Sequence, residues 1–110
     1  MQVDVEELGV SRDLLCDALN AEGVGVSQRY QNIHLIPLYQ HKIAYGSKGF
    51  PWTSDLCRRE ITYEKGICPI AETLNDFSYI GFGMCVYDFC KEDIKVVIHA
   101  FEKIWSKIPF

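Results

Sequence analysis

The sequence predicts an α/β (α+β) fold: a small, mainly antiparallel sheet with helices packed on one face. Three observations carry that reading. Apolar residues recur at helical spacing in two segments, near the start and at the end of the chain. Between them, Val24, Val26 and Tyr30 alternate with small or polar residues, and Phe77 to Tyr87 is rich in aromatic and β-branched residues. At 110 residues, one core is the default, so residues 1–110 are read as a single domain.

The final helix is the clearest element. Ile94, Val97, Ile98, Phe101, Ile104, Trp105 and Ile108 share one face of a helix from about Lys91 to Lys107. Glu92 and Asp93 open it and Lys103 and Lys107 close it, which complements the helix dipole. The first helix starts at a Ser11 N-cap, carries Leu14, Leu15, Ala18 and Leu19 on its apolar face, and stops at Gly23. Pro69 suits a first helical turn, and a short helix through Leu74 is expected to end at Asn75-Asp76. The Phe77–Tyr87 strand is interrupted at Gly81 and Gly83, which suggests a bulge or a close backbone approach. Gln31 to Pro51 mixes Pro37, Gly46, Gly49 and Pro51 with aromatics, as ordered loops do, and its tip at Tyr45–Gly49 buries little.

Composition narrows the function classes. A net charge of −4, with no run of Lys or Arg, is unsuited to neutralising successive phosphates, so nucleic acid is not an expected partner. No stretch approaches the roughly 20 apolar residues that span a bilayer, and the acidic start lacks the form of a secretory signal. Cys16, Cys57, Cys68, Cys85 and Cys90 make an odd, irregularly spaced set, which fits reduced thiols and a cytoplasmic location.

Motifs for common chemistries are missing. Neither CxxC nor HxxxH pairs occur, so no metal ligand set is read. Glycine-rich phosphate loops and GxSxG elbows do not occur either. A thiol enzyme built on Cys85 or Cys90 with a histidine requires a reactive, low-pKa thiol. Against that, Cys85 between Met84, Val86 and Tyr87 reads as a small buried apolar residue. Cys90 holds the cap position of the last helix, where Asp88 is near enough to cap instead, and His99 reads as a helix-boundary residue. No catalytic or cofactor-binding residue is assigned. The segment from Arg29 through Tyr30 and His34 to Tyr39 differs, because there phenols, an imidazole and a cation converge on one stretch suited to a polar ligand.

Several motifs, in order, resemble the C-terminal small domain of the DegT/DnrJ/StrS sugar aminotransferases, which are pyridoxal phosphate enzymes of fold type I. Arg12-Asp13, Leu15, Ala18-Leu19 and Glu22-Gly23-Val24 are similar to an "RDxLxxALxxEGI" helix. Tyr30 and His34–Tyr39 look like a segment of Tyr, His and Pro-Leu-Tyr, and Cys68–Glu72 like "CPxAE". Lys91–Ile94 with Ala100–Ile104 resembles the closing helix.

The resemblance implies a domain that encloses a keto sugar, with Tyr30, His34 and Tyr39 orienting the sugar or its nucleotide. Substrates of the sugar-nucleotide or aminocyclitol type, a large pyridoxal-phosphate-binding domain in the same or a separate chain, and a homodimeric full enzyme are implied with it. The Schiff-base lysine and phosphate ligands would lie in that large domain; none of Lys42, Lys48 or Lys65 stands in a catalytic-lysine context. Met1 just before Gln2-Val3-Asp4-Val5 is read as the point where a preceding strand has been cut away. This chain alone is expected not to transaminate. The rival reading is a stand-alone binding or assembly module derived from that fold, betrayed by an exposed apolar patch.

Overall fold

The computed structural model describes residues 1–108, and the chain divides into two compact units, Met1–Tyr30 with Thr73–Phe110, and Gln31–Glu72. The architecture is mixed α+β, helices with a small two-stranded antiparallel sheet.

In the first unit, α1 (Val5–Leu8), unforeseen from sequence, is capped by Asp4, which accepts from the Glu6 and Glu7 N–H groups at 3.1 and 3.0 Å. Helix α2 (Arg12–Ala21) begins with Ser11 Oγ accepting from the Leu14 N–H. It ends as expected at Gly23, whose φ of 86° is the left-handed turn that glycine permits. The Val24 N–H donates to Leu19 C=O and the Gly23 N–H to Asn20 C=O, while Leu19 and Val24 pack together in the core. Leu14 departs from the sequence reading. It is 59% exposed, because Leu15, Cys16 and Leu19 define the inward face and Leu14, at about 100° per residue, lies about 200° from Cys16 and so outside it.

Arg12 is buried on that inward face. Its Nε and Nη2 donate to Asp13 Oδ1 at 2.9 and 2.8 Å, and Nη1 donates to the Asn75 carbonyl at 2.6 Å. That carbonyl is available because the chain does not stop at Asn75-Asp76. Residues Leu74–Ser78 widen into a π-helical turn closed by the Tyr79 N–H on Leu74 C=O.

The two expected strands shrink to β1 (Val26–Ser27) and β2 (Gly81–Phe82), antiparallel with Val26 opposite Phe82 and Ser27 opposite Gly81. Gln2 bridges Tyr79 in the same sense. The rest of the Phe77–Tyr87 run forms part of the π turn and a 3₁₀ turn at Met84–Val86, so local β propensity gives way to tertiary context. Asn20 fastens β1 to α2 with both ends of its carboxamide, donating to Val26 C=O and accepting from the Val26 N–H. Gly81 is the close approach: a Cβ there would collide with Ser27 Oγ and crowd the Tyr79 hydroxyl, whereas at Gly83 it would meet only Val86 Cγ2 at 3.8 Å.

Helix α5 (Lys91–Trp105) lies two residues inside its expected end. Cys90, not Asp88, is its N-cap, and the Cys90 N–H donates to Asp93 at 2.9 Å. Val97, Ala100, Phe101, Ile104, Trp105 and Ile108 join Val3, Leu15, Cys16, Leu19, Val24 and Ile80 in two contiguous core clusters. Ile98, on the flank of the stripe, is half-exposed. Lys103 reaches Glu22 at 2.7 Å, an exposed pair worth about 1 kcal/mol at most.

The second unit has little repetitive structure: a 3₁₀ turn at Ile33–Leu35, α3 (Pro37–Gln40), a bridge between Tyr45 and Phe50, and the start of α4 (Pro69–Thr73).

Gly81→Ala is expected to lower stability by about 1 to 3 kcal/mol, as overpacking does, with Gly83→Ala near neutral. Ser78→Ala is expected to raise stability by about 1 kcal/mol, since Ser78 Oγ is buried with no hydrogen-bond partner among the described residues. Urea unfolding midpoints at constant m-value check all three.

Candidate functional site

The second unit is organised around one buried carboxylate. Pro37 starts α3 and Pro69 starts α4, which leaves His34 and Glu72 facing each other from opposite ends of the unit. His34, 8% exposed, sets Nε2 at 2.8 Å from Glu72 Oε1. The Gly66 N–H donates to both Glu72 oxygens at 2.7 and 2.9 Å, and the Cys68 N–H approaches Oε1 at 3.4 Å. These contacts hold the Glu72 carboxyl below its ordinary 4.5, the Gly66 N–H contributing most and His34 helping, against an opposing effect of burial. An ionised carboxylate only accepts, so His34 carries its proton on Nε2.

From His34 the order passes outward. The His34 carbonyl accepts from Gln40 Nε2 at 2.7 Å, and the same nitrogen donates to the Tyr63 carbonyl at 2.5 Å. Both neighbours are acceptors, so the amide orientation is fixed: nitrogen toward the two carbonyls, Oε1 left as an acceptor. Tyr39 packs against Tyr63 at 5.1 Å between centroids and edge-on to Trp52 at 6.3 Å. The Trp52 indole N–H donates to the Tyr63 hydroxyl at 2.8 Å, which fixes both rings.

Beside this aromatic group lies a cleft of about 230 Å³ lined by Tyr39, Gln40, Lys42, Ile61, Thr62, Tyr63 and Glu64. Aromatic faces next to hydroxyl, amide and charged groups suit a small hydroxylated ligand.

Of the residues singled out in the sequence, Tyr39 lines the cleft and His34 lies one hydrogen bond behind it, through Gln40. Tyr30 belongs to the first unit and is 75% exposed, its N–H donating to Asn75 Oδ1. Gln40, Lys42, Trp52, Tyr63, Glu64 and Glu72 had no site role in the sequence reading. The available signal was the density of Tyr and Trp between residues 31 and 72 without strand alternation. Cys85 is exposed rather than buried, in the 3₁₀ turn that replaces the expected strand, and His99 lies in the open 3.9 Å from Glu102. Among the described residues no group of three or more His, Cys, Asp or Glu is placed to hold a metal, and no helix is long and apolar enough to cross a membrane.

Folding favours ionised Glu72, so its contribution is fully present above pH 4.5 and is lost as pH falls through the lowered folded value. In a Trp105→Phe background, Trp52 emission is expected to report an acid transition of the second unit below pH 4.5 that Glu72→Gln flattens while lowering stability at neutral pH.

Comparison with protein families, with curated proteins and with solved structures found no match for this chain.

Proposed function

We propose that this chain is the small, substrate-enclosing part of a sugar aminotransferase and that its cleft holds the hydroxylated ring of a keto sugar. The observation that carries the reading is the cleft beside Tyr39, where two phenol rings meet Gln40, Thr62 and two charged residues. The order of motifs resembling the DegT/DnrJ/StrS small domain supports the reaction class. Tyr39 and Tyr63 offer ring faces, Gln40 Oε1 accepts from a sugar hydroxyl, and His34 shapes the wall through its carbonyl. The contribution is positioning.

The residues present do not fit a resident pyridoxal phosphate. The buried carboxylate that would face a pyridine nitrogen is Glu72, and it already receives Gly66, Cys68 and His34. The lysine lining the cleft, Lys42, shares it with the carboxylate of Glu64 instead of an apolar cofactor face. In this reading the large domain supplies the cofactor and its lysine.

A second reading, a binding or assembly module without catalysis, is favoured by an apolar groove of about 330 Å³ on the first unit. Phe82, Met84, Phe89, Ile94 and Ile98 line it, and the half-exposed Ile98 joins it rather than the core.

Titration calorimetry with glucose 6-phosphate and with a nucleotide-linked hexose is expected to show saturable binding that quenches or shifts Trp52 emission. Tyr39→Ala and Tyr63→Ala are each expected to weaken it about five- to tenfold. No binding at millimolar concentration by either ligand removes the sugar reading and leaves the assembly reading.

A further inference from the structure

Two opposite charges share the cleft without meeting. Lys42 and Glu64 both line its roughly 230 Å³. Among the described residues neither forms an ion pair within 4.0 Å, although pairs elsewhere close to 2.7 and 2.8 Å. Each therefore keeps a charge available to whatever enters.

The backbone gives a second, independent indication at Lys42. After α3 the Lys42 N–H donates to Tyr39 C=O and the Ile43 N–H to Leu38 C=O, the same closure that ends α2. In α2 the left-handed residue of that closure is Gly23; here it is Lys42, with φ 54°, the one non-glycine residue described with a positive φ. A long side chain in that conformation is unfavourable relative to glycine, and such residues concentrate where the side chain is used. The turn brings Lys42 to the cleft lining, and Glu64 joins that lining next to Tyr63, whose carbonyl accepts from Gln40.

We propose that the cleft selects ligands bearing both charges, an anionic group held by Lys42 and an ammonium held by Glu64. Among hydroxylated rings it takes an aminated sugar phosphate in preference to a ring with one charge or none. This rests on the sugar-binding reading above and adds the charge pattern of the ligand. The two tyrosine rings cover the ring faces, and Gln40 Oε1 and the Thr62 hydroxyl serve its neutral hydroxyls. Charge-assisted hydrogen bonds at each end supply the discrimination.

Glucosamine 6-phosphate, glucose 6-phosphate, glucosamine and glucose, titrated calorimetrically at about pH 6.5 so that the amine is protonated, separate the alternatives. Glucosamine 6-phosphate is expected to bind about tenfold tighter than either singly charged ring. Lys42→Met is expected to abolish the advantage conferred by phosphate alone, and Glu64→Gln that conferred by the amine alone. Lys42→Gly relieves the backbone while removing the charge, so it is expected to fold at least as well and still lose phosphate preference; Trp52 emission in the Trp105→Phe background checks the fold. Equal binding of all four rings overturns the charge proposal and leaves the sugar reading intact. Discrimination that survives both charge-removing variants overturns it as well; binding of none of the four also overturns it, and the sugar reading then stands or falls on the nucleotide-linked hexose.

Discussion

The second unit depends on the Glu72 carboxylate. Residues 31 to 72 contain a 3₁₀ turn, the four-residue α3, the start of α4 and one isolated bridge, too little backbone pairing to fix a segment of that length. Glu72 replaces a ladder. It receives a ring nitrogen from 38 residues upstream and N–H groups from six and four residues upstream, so one side chain draws together the start and the end of the unit. Everything at the cleft follows from that closure. His34, once fixed, presents a carbonyl to Gln40, Gln40 ties Tyr63, and Tyr63 orders Trp52 and Tyr39.

The first unit is held differently, by apolar burial with a few polar fittings. Two of those fittings decide its local geometry. Arg12 occupies an inward position on α2 because its guanidinium finds Asp13 and the carbonyl that the π turn exposes, so a buried cation is accommodated without an orphaned N–H on Nε. Gly81 lets Ser27 and Tyr79 approach the ladder from the same side.

Much of the first unit is legible in the sequence, since α2 and α5 combine period-3.6 apolar residues with chemically explicit ends at Ser11, Gly23 and Glu92-Asp93. Adjacent apolar residues are where that reading fails: Leu14 and Leu15 are indistinguishable by composition, and only packing separates them. The Phe77–Tyr87 run fails for another reason, because its β propensity is outweighed by the π turn and by the need for Gly81. Of the cleft, the sequence displays Tyr39 and His34 as residues of a polar-ligand segment. It does not display their partners, because no local spacing connects His34 to Glu72 or Gln40 to Tyr63, and the Lys42 conformation is a property of a turn where glycine is the usual signal.

The Asn20 carboxamide has a consequence for how the molecule meets others of its kind. A ladder of two residues has two margins, and each bare margin is a template on which another extended chain can add. Asn20 occupies the N–H and C=O of Val26 with a side chain in place of a strand, and along the other strand's approach Gln2 already bridges Tyr79. The β1 margin at Val26 is thereby closed to growth by a side chain, in place of the charged or proline-bearing edges that larger sheets use to remain separate.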